Sequence, residues 1–158
     1  MDLFFNQFST GYDSNKIISD LNLKIKSGEW VGVVGSNGSG KSTLLKSIAK
    51  IIPIQSGDLL LNGLSIKDLS TKSAAKLISY LPQKLNPNLP LTVKELIALG
   101  RSPHKHFWEF DWNANDLAII EEAIDLCDLK MYSNKALNSL SGGPVSYTHL
   151  TLPTSVTV

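Results

Sequence analysis

Cysteine is almost missing from this chain: Cys127 is the only one in 158 residues. An internal disulfide is therefore excluded, which fits a reducing compartment. Cys127 is expected on the buried face of a helix, as a small hydrophobe. An excess of charge is missing too. Fifteen Lys and Arg against fourteen Asp and Glu leave a formal net charge of +1, which speaks against nucleic acid and against general attraction to a membrane surface. No apolar run approaches the roughly 20 residues needed to span a bilayer. No basic stretch followed by an apolar core stands at the N-terminus, so a secretory signal is not expected. Repeats and low-complexity blocks are absent before residue 144. The first 143 residues read as a cytosolic enzyme domain, long enough for one real core and too short for two.

What is present is a phosphate-binding loop. Gly35-Ser36-Asn37-Gly38-Ser39-Gly40-Lys41-Ser42-Thr43 fits G-x-x-x-x-G-K-[ST]. Gly35, Gly38 and Gly40 allow turn dihedrals that a Cβ would forbid, so successive N–H groups can point into one concavity. Set at a helix N-terminus, that nest holds a triphosphate with backbone donors and the helix dipole. Lys41 is positioned to reach the β- and γ-phosphates and the Ser42 hydroxyl to ligate Mg²⁺. The flanks agree. Trp30-Val31-Gly32-Val33-Val34 reads as a buried strand. After the loop, Leu44, Leu45, Ile48 and Ile51 are expected on one face of a helix.

Around this centre, residues 3–8 read as a first strand and Gly11–Asn15 as a turn. From Ile18 the alternation of Leu21, Leu23 and Ile25 with polar residues predicts a half-solvated antiparallel strand. Leu59–Leu61 is a short strand closed by a hairpin turn at Asn62-Gly63. A short helix over 70–77 is expected to lead into a strand over Leu77–Leu81, ending at Pro82-Gln83. Pro82, Pro87 and Pro90 make residues 84–91 an extended, partly rigid loop. Thr92-Val93-Lys94-Glu95 is a capping box, and Gly100 is placed to end its helix. His104 and His106 have metal-like spacing, but no Cys or further His nearby completes a site, so they read as surface loop residues. From Asn113 a further helix carries Leu117, Ile120, Ile124 and Cys127 on one face, with a second helical piece to Asn138. The order of elements predicts a two-lobed α/β architecture.

Downstream of these helices stands Leu140-Ser141-Gly142-Gly143. Together with the phosphate loop, it makes residues 1–143 resemble the ATPase subunit of ABC transporters, whose signature motif is LSGGQ. The resemblance implies the ABC type of P-loop NTPase: an N-terminal antiparallel β subdomain, a helical subdomain over about 84–140, and a central sheet that is incomplete here. It implies ATP and Mg²⁺ as cofactors, with Gly35–Thr43 as Walker A and Lys41 and Gln83 as catalytic residues. Tyr12 falls where the family keeps an aromatic that stacks on adenine; by itself it reads as an edge-strand aromatic. Gln83 matches the glutamine that ligates Mg²⁺, helps position the attacking water and links to the membrane subunits; by itself it reads as a solvated loop residue. Leu140, Ser141, Gly142 and Gly143 would bind the γ-phosphate held by the opposite subunit of a head-to-tail dimer.

The implied partners are permease subunits in the membrane, a second copy of the ATPase subunit and an extracytoplasmic solute-binding protein, with no nucleic acid. The implied place is the cytoplasmic face of the plasma membrane, peripherally bound. Leu91-Thr92-Val93-Lys94-Glu95-Leu96, then Leu99-Gly100-Arg101-Ser102-Pro103, resembles importers of iron–siderophore, haem or cobalamin. No residue reads the solute, which this subunit would not touch. A soluble ABC ATPase of DNA repair or translation and a non-catalytic nucleotide-binding module are the alternatives.

From Pro144 the chain departs from the family. The final fifteen residues, 144–158, contain no Asp, Glu, Lys or Arg. They lack the basic helix, the strand ending in Asp-Glu and the switch histidine. The Val-Ser-Tyr-Thr-His-Leu-Thr-Leu-Pro-Thr run is similar to a translated sequencing-adaptor artefact. The expectation is a non-native tail at 144–158 and a chain that does not hydrolyse ATP by itself, since the general base and the Walker B aspartate are missing.

Overall fold

The computed structural model describes residues 1–83, 89–105 and 111–140. The chain divides into two compact units, Met1–Tyr80 and Leu81–Val158.

The first unit is built on a four-stranded antiparallel sheet. Strands β1 (Leu3–Tyr12), β2 (Asn15–Ile25), β3 (Ile54–Leu61) and β4 (Leu64–Ser65) lie in the order β2-β1-β3-β4. Helix α1 (Lys41–Ile48) separates β2 from β3, and α2 (Thr71–Leu77) comes after β4. The first strand runs four residues past the expected 3–8, and the hairpin at Asn62-Gly63 forms where expected, pairing Leu61 with Leu64.

A bulge decides how this sheet makes its core. Phe5 and Phe8 are three residues apart, a spacing that sends side chains to opposite faces of a regular strand. Gln7 takes φ 45°, the register with β2 shifts between Phe5 and Phe8, and both rings end on one face. They meet edge to face with centroids 5.2 Å apart and are fully buried with Leu59, Leu61 and Ile66. The Gln7 N–H donates to Asn22 Oδ1 at 2.9 Å, satisfying a donor that the bulge frees. Opposite it stands Gly57, where a Cβ would lie 2.0 Å from the Gln7 carbonyl oxygen. Each buried phenylalanine is worth about 1.5–3 kcal/mol over an exposed one.

Three expectations are corrected in this unit. Trp30–Val34 is not a buried strand: no described residue pairs with it, and Trp30 and Val34 are fully or almost fully exposed. A strand requires a neighbour's backbone, and none of the described strands supplies one there. Leu77–Leu81 is not a strand either. Leu77 is the last residue of α2, Ile78 is its C-cap, and Leu77 and Leu81 are exposed. A short apolar run carries no period of its own, so a helix end and a strand read alike. The buried face of α1 is also rotated from the expected one. Leu44 and Ile48 pack on the core, Leu45 and Ile51 are exposed, and Thr43 and Ser47 are the buried residues.

The second unit is helical. Helix α3 (Val93–Leu99) has the expected capping box: the Glu95 N–H donates to Thr92 Oγ1 at 3.2 Å, and the Thr92 N–H and hydroxyl donate to Glu95 Oε2 at 2.7 and 2.8 Å. Those two donors hold the Glu95 carboxyl below its usual range, the backbone donor contributing most. Gly100 is the C-cap, in a right-handed conformation. Helix α4 (Ala114–Leu126) starts from Asn113, whose Oδ1 accepts the Asp116 N–H at 2.8 Å. Val93, Ile97 and Ala98 of α3 pack with Ile120, Ala123 and Ile124 of α4 and with Leu129 and Leu137. Leu117, expected on that face, is exposed. Cys127 is the C-cap of α4, partly buried against the core rather than within the helix. The expected helix to Asn138 is two short 3₁₀ turns, Lys130–Tyr132 and Leu137–Leu140. The Val93 N–H to Lys135 O bond (3.1 Å), Lys94 N–H to Ser133 O (2.8 Å) and Leu137 N–H to Leu91 O (2.9 Å) strap this segment to the start of α3.

Candidate phosphate-binding site

The motif at 35–43 lies within the first unit: residues 35–40 follow the unpaired 30–34 segment and residues 41–43 open α1. Ser36 to Ser39 form a turn closed by the Ser39 N–H donating to Ser36 O at 3.3 Å. Gly38 (φ 81°) and Gly40 (φ 94°) occupy backbone conformations that only glycine adopts freely. Gly40 has a second reason to be glycine. It is buried, and a Cβ would lie 2.7 Å from Ile17 Cγ2 and 2.9 Å from Ile18 Cδ1. The loop therefore enters α1 pressed against the start of β2.

Gly40 is also the N-cap of α1 and offers no side-chain acceptor, and the first turn contains no acidic residue. The leading N–H groups of α1 keep their partial positive charge for an external anion. The Lys41 ammonium donates to Gly35 O at 2.9 Å and Ser36 O at 2.7 Å. That closes the mouth of the loop and leaves one of its three N–H donors for a ligand. Ser42 is exposed and Thr43 is buried. The arrangement is a solvent-facing, donor-rich rim with a fixed cation, the chemistry that suits a polyphosphate. Residues suited to a triphosphate are thus present, and the Ser42 hydroxyl suits a hard cation bound with it.

Tyr12 is the last residue of β1, paired with Asn15 across the turn and nearly half exposed. That turn is tied to β3 by Gln55 Nε2 donating to Asp13 O at 2.9 Å. Gln83 is exposed, in the second unit. Leu140 packs against the helical core. Ser141, Gly142 and Gly143 lie outside the described residues, as do residues 84–88 of the proline-containing loop, His106 and the 144–158 tail. Among the described residues no group of three His, Cys, Asp or Glu could hold a metal.

Residues 18–151 match the family described as ABC transporter. The chain belongs to the ABC transporter family. It is 43% identical over 126 residues to the petrobactin import ATP-binding protein FpuC of Bacillus anthracis, covering 80% of this chain and 46% of that protein. It is 37% identical over 137 residues to the iron(3+)-hydroxamate import ATP-binding protein FhuC of Bacillus subtilis, covering 87% and 51%. The chain thus spans about half the length of the curated relatives it matches. Its fold is similar to a solved ATP-binding subunit of an ABC transporter, with a TM-score of 0.64 at 22% identity over 85% of this chain and 53% of the other. The fold class is the open α/β arrangement of ABC proteins. No helix among the described residues is long and apolar enough to cross a membrane.

Three polar arrangements escaped the sequence reading. Thr10 Oγ1 and Ser47 Oγ stand 2.6 Å apart, both buried, with Thr10 donating to Pro53 O at 3.0 Å and Ser47 to Thr43 O at 2.9 Å. The i, i+4 spacing of Thr43 and Ser47 on an otherwise apolar face was the available signal. Lys50, in a left-handed conformation just after α1, donates to Ile66 O at 2.8 Å, Lys67 O at 3.3 Å and Leu69 O. In the second unit, Arg101 Nε and Nη2 both lie 2.9 Å from Asp116 Oδ1. This arginine belongs to the stretch that resembles the siderophore-type importers, and here it fastens the end of α3 to the start of α4.

Proposed function

We propose that this chain is part of the ATP-binding subunit of an ABC importer for iron–siderophore complexes or related haem or cobalamin cargo. The observation that carries the nucleotide reading is the uncapped start of α1 behind Gly38 and Gly40, with Lys41 locked across the loop mouth. The names of the two relatives, petrobactin and iron(3+)-hydroxamate import, support the cargo class. In this reading the loop amides of residues 35–43 and Lys41 hold the phosphates, Ser42 and Gln83 hold Mg²⁺, and Tyr12 stacks on adenine. Bound Mg²⁺ would offset the charge on the β- and γ-phosphates. Leu140 to Gly143 complete the site of a second copy in a head-to-tail dimer, docked on permease subunits at the cytoplasmic face of the membrane and served by an extracytoplasmic solute-binding protein.

Residues 1–143 form a partial ABC ATP-binding domain, and residues 144–158 are a non-native tail. The test is MgATP affinity of the full chain by calorimetry. Binding abolished by Lys41→Ala is the expected result. Binding indifferent to Lys41 overturns the reading. Sequencing the source locus beyond codon 143 tests the tail.

A further inference from the structure

Helix α1 is clamped to the β1–β2 hairpin at both of its ends. At the loop end, Gly40 is pressed against Ile17 and Ile18 of β2, with no room for a Cβ. Seven residues on, about 10 Å along the helix, Ser47 meets Thr10 of β1 at 2.6 Å. The two clamps bear on one place in the sheet, because Thr10 and Ile18 are register partners. Tyr12 stands two residues beyond Thr10, about 7 Å along the same strand.

The Thr10–Ser47 contact is the adjustable clamp. Each hydroxyl has one proton, yet three contacts converge on the pair: Thr10 with Ser47, Thr10 with Pro53 O, and Ser47 with Thr43 O. Two protons cannot serve all three at once. The carbonyl of Thr43 also accepts within the helix in any regular α-helix, so an order running from Ser47 to Thr10 to Pro53 O leaves no group unpaired. Ser9, Thr10 and Ser47 are all essentially buried, and no water competes for these bonds. An apolar pair would fill the same space; a directional bond fixes how far the helix can slide along the strand.

We propose that Thr10 and Ser47 are positioning residues that fix the spacing between Tyr12 and the phosphate loop, so that base and triphosphate are bound as one unit. The inference rests on the reading of Tyr12 as the base platform and of residues 35–43 as the phosphate site. Loss of the seam lets α1 settle differently on the hairpin. Each half of the site then keeps its own chemistry, but the two are no longer matched to one ligand.

The test compares affinities of the full chain for MgATP and for magnesium tripolyphosphate, which has the phosphates and no base. The variants are Thr10→Val, Thr10→Ser, Ser47→Ala and Tyr12→Ala, each with a melting curve. In Thr10→Val and Ser47→Ala, the preference for MgATP over tripolyphosphate is expected to fall about fivefold, a factor equivalent to one hydrogen bond, with tripolyphosphate affinity unchanged. Thr10→Ser, which keeps the hydroxyl, should restore the preference even if the melting point does not recover. If Tyr12→Ala removes the preference but Thr10→Val and Ser47→Ala leave it intact, or lower both affinities equally, the positioning role is wrong and the site reading stands. If Tyr12→Ala leaves the preference intact, the base-platform reading fails, and this inference fails with it.

Discussion

Arg101→Ala is expected to destabilise the helical unit more than any other single truncation outside its apolar core. The Asp116 side chain is 5% exposed and that of Arg101 19%, so the pair is mostly out of water. Removing the guanidinium leaves a carboxylate in a site where water reaches it poorly. Losing one partner of a buried pair costs about 3–5 kcal/mol. Two features reduce that here. The arginine's partial exposure means some water can enter, and Asp116 lies in the first turn of α4, where the helix end offers about 0.3–1 kcal/mol to a negative charge. The expected cost is therefore at or just below the lower end of that range, about 2–3 kcal/mol. Urea denaturation tracked by far-UV circular dichroism measures it, provided the slope against urea is unchanged. The double variant Arg101→Ala with Asp116→Asn should recover part of the loss, because the orphaned charge is gone. Arg101→Lys should fall between, keeping the charge but losing the second nitrogen on Oδ1. A loss under about 0.5 kcal/mol for Arg101→Ala, the size of an ordinary surface change, or a double variant no better than the single, would refute the argument.

Gly40→Ala should cost more than the roughly 1–2 kcal/mol of a left-handed alanine, because its Cβ must also push aside Ile17 and Ile18; a thermal melt and MgATP affinity should both decline, and an unchanged pair of values would contradict the close packing. Lys50→Met should lose about 1–2 kcal/mol, since three carbonyls at Ile66, Lys67 and Leu69 lose their common donor; urea denaturation reads it, and no change would mean that water replaces the ammonium. The Glu95 carboxyl is depressed by Thr92, so its stabilisation is fully present above the usual value of 4.5 and is lost as pH falls through the folded value. Stability of the wild type relative to Glu95→Gln should therefore shrink with acid, and a difference that does not vary with pH would rule out an ionised cap.

The features that were legible in the sequence are those written in consecutive residues. Asn62-Gly63 turns β3 into β4, Thr92 and Glu95 cap α3, Asn113 caps α4, and the 35–43 loop runs into a helix. Each needs only its own neighbours, so local chemistry suffices. The features that were not legible depend on residues far apart in the chain. The bulge at Gln7 is fixed by Asn22 and by the space that Gly57 leaves, and it alone puts Phe5 and Phe8 on one face. Arg101 and Asp116 are two ordinary charged residues until α3 and α4 pack. Thr10 and Ser47 look like interruptions of apolar patterns, because nothing local says that they will meet.

Trp30–Val34 shows where that limit has a consequence. Its composition is that of a strand covered on both faces, as central parallel strands are. Yet Trp30, Val31, Val33 and Val34 are exposed, and no described strand pairs with the segment. The mismatch lies between sequence and surroundings, not within the sequence. Lys41 still reaches Gly35 O and Ser36 O, and Gly40 still seats on Ile17 and Ile18. The phosphate loop is thus fixed from its helical side by α1 and the hairpin, without a described strand beneath its first half. Among the described residues, the contacts that hold the loop's anion-binding geometry are therefore those of Gly40 with the hairpin and of Lys41 with the Gly35 and Ser36 carbonyls, both on the helical side of the loop.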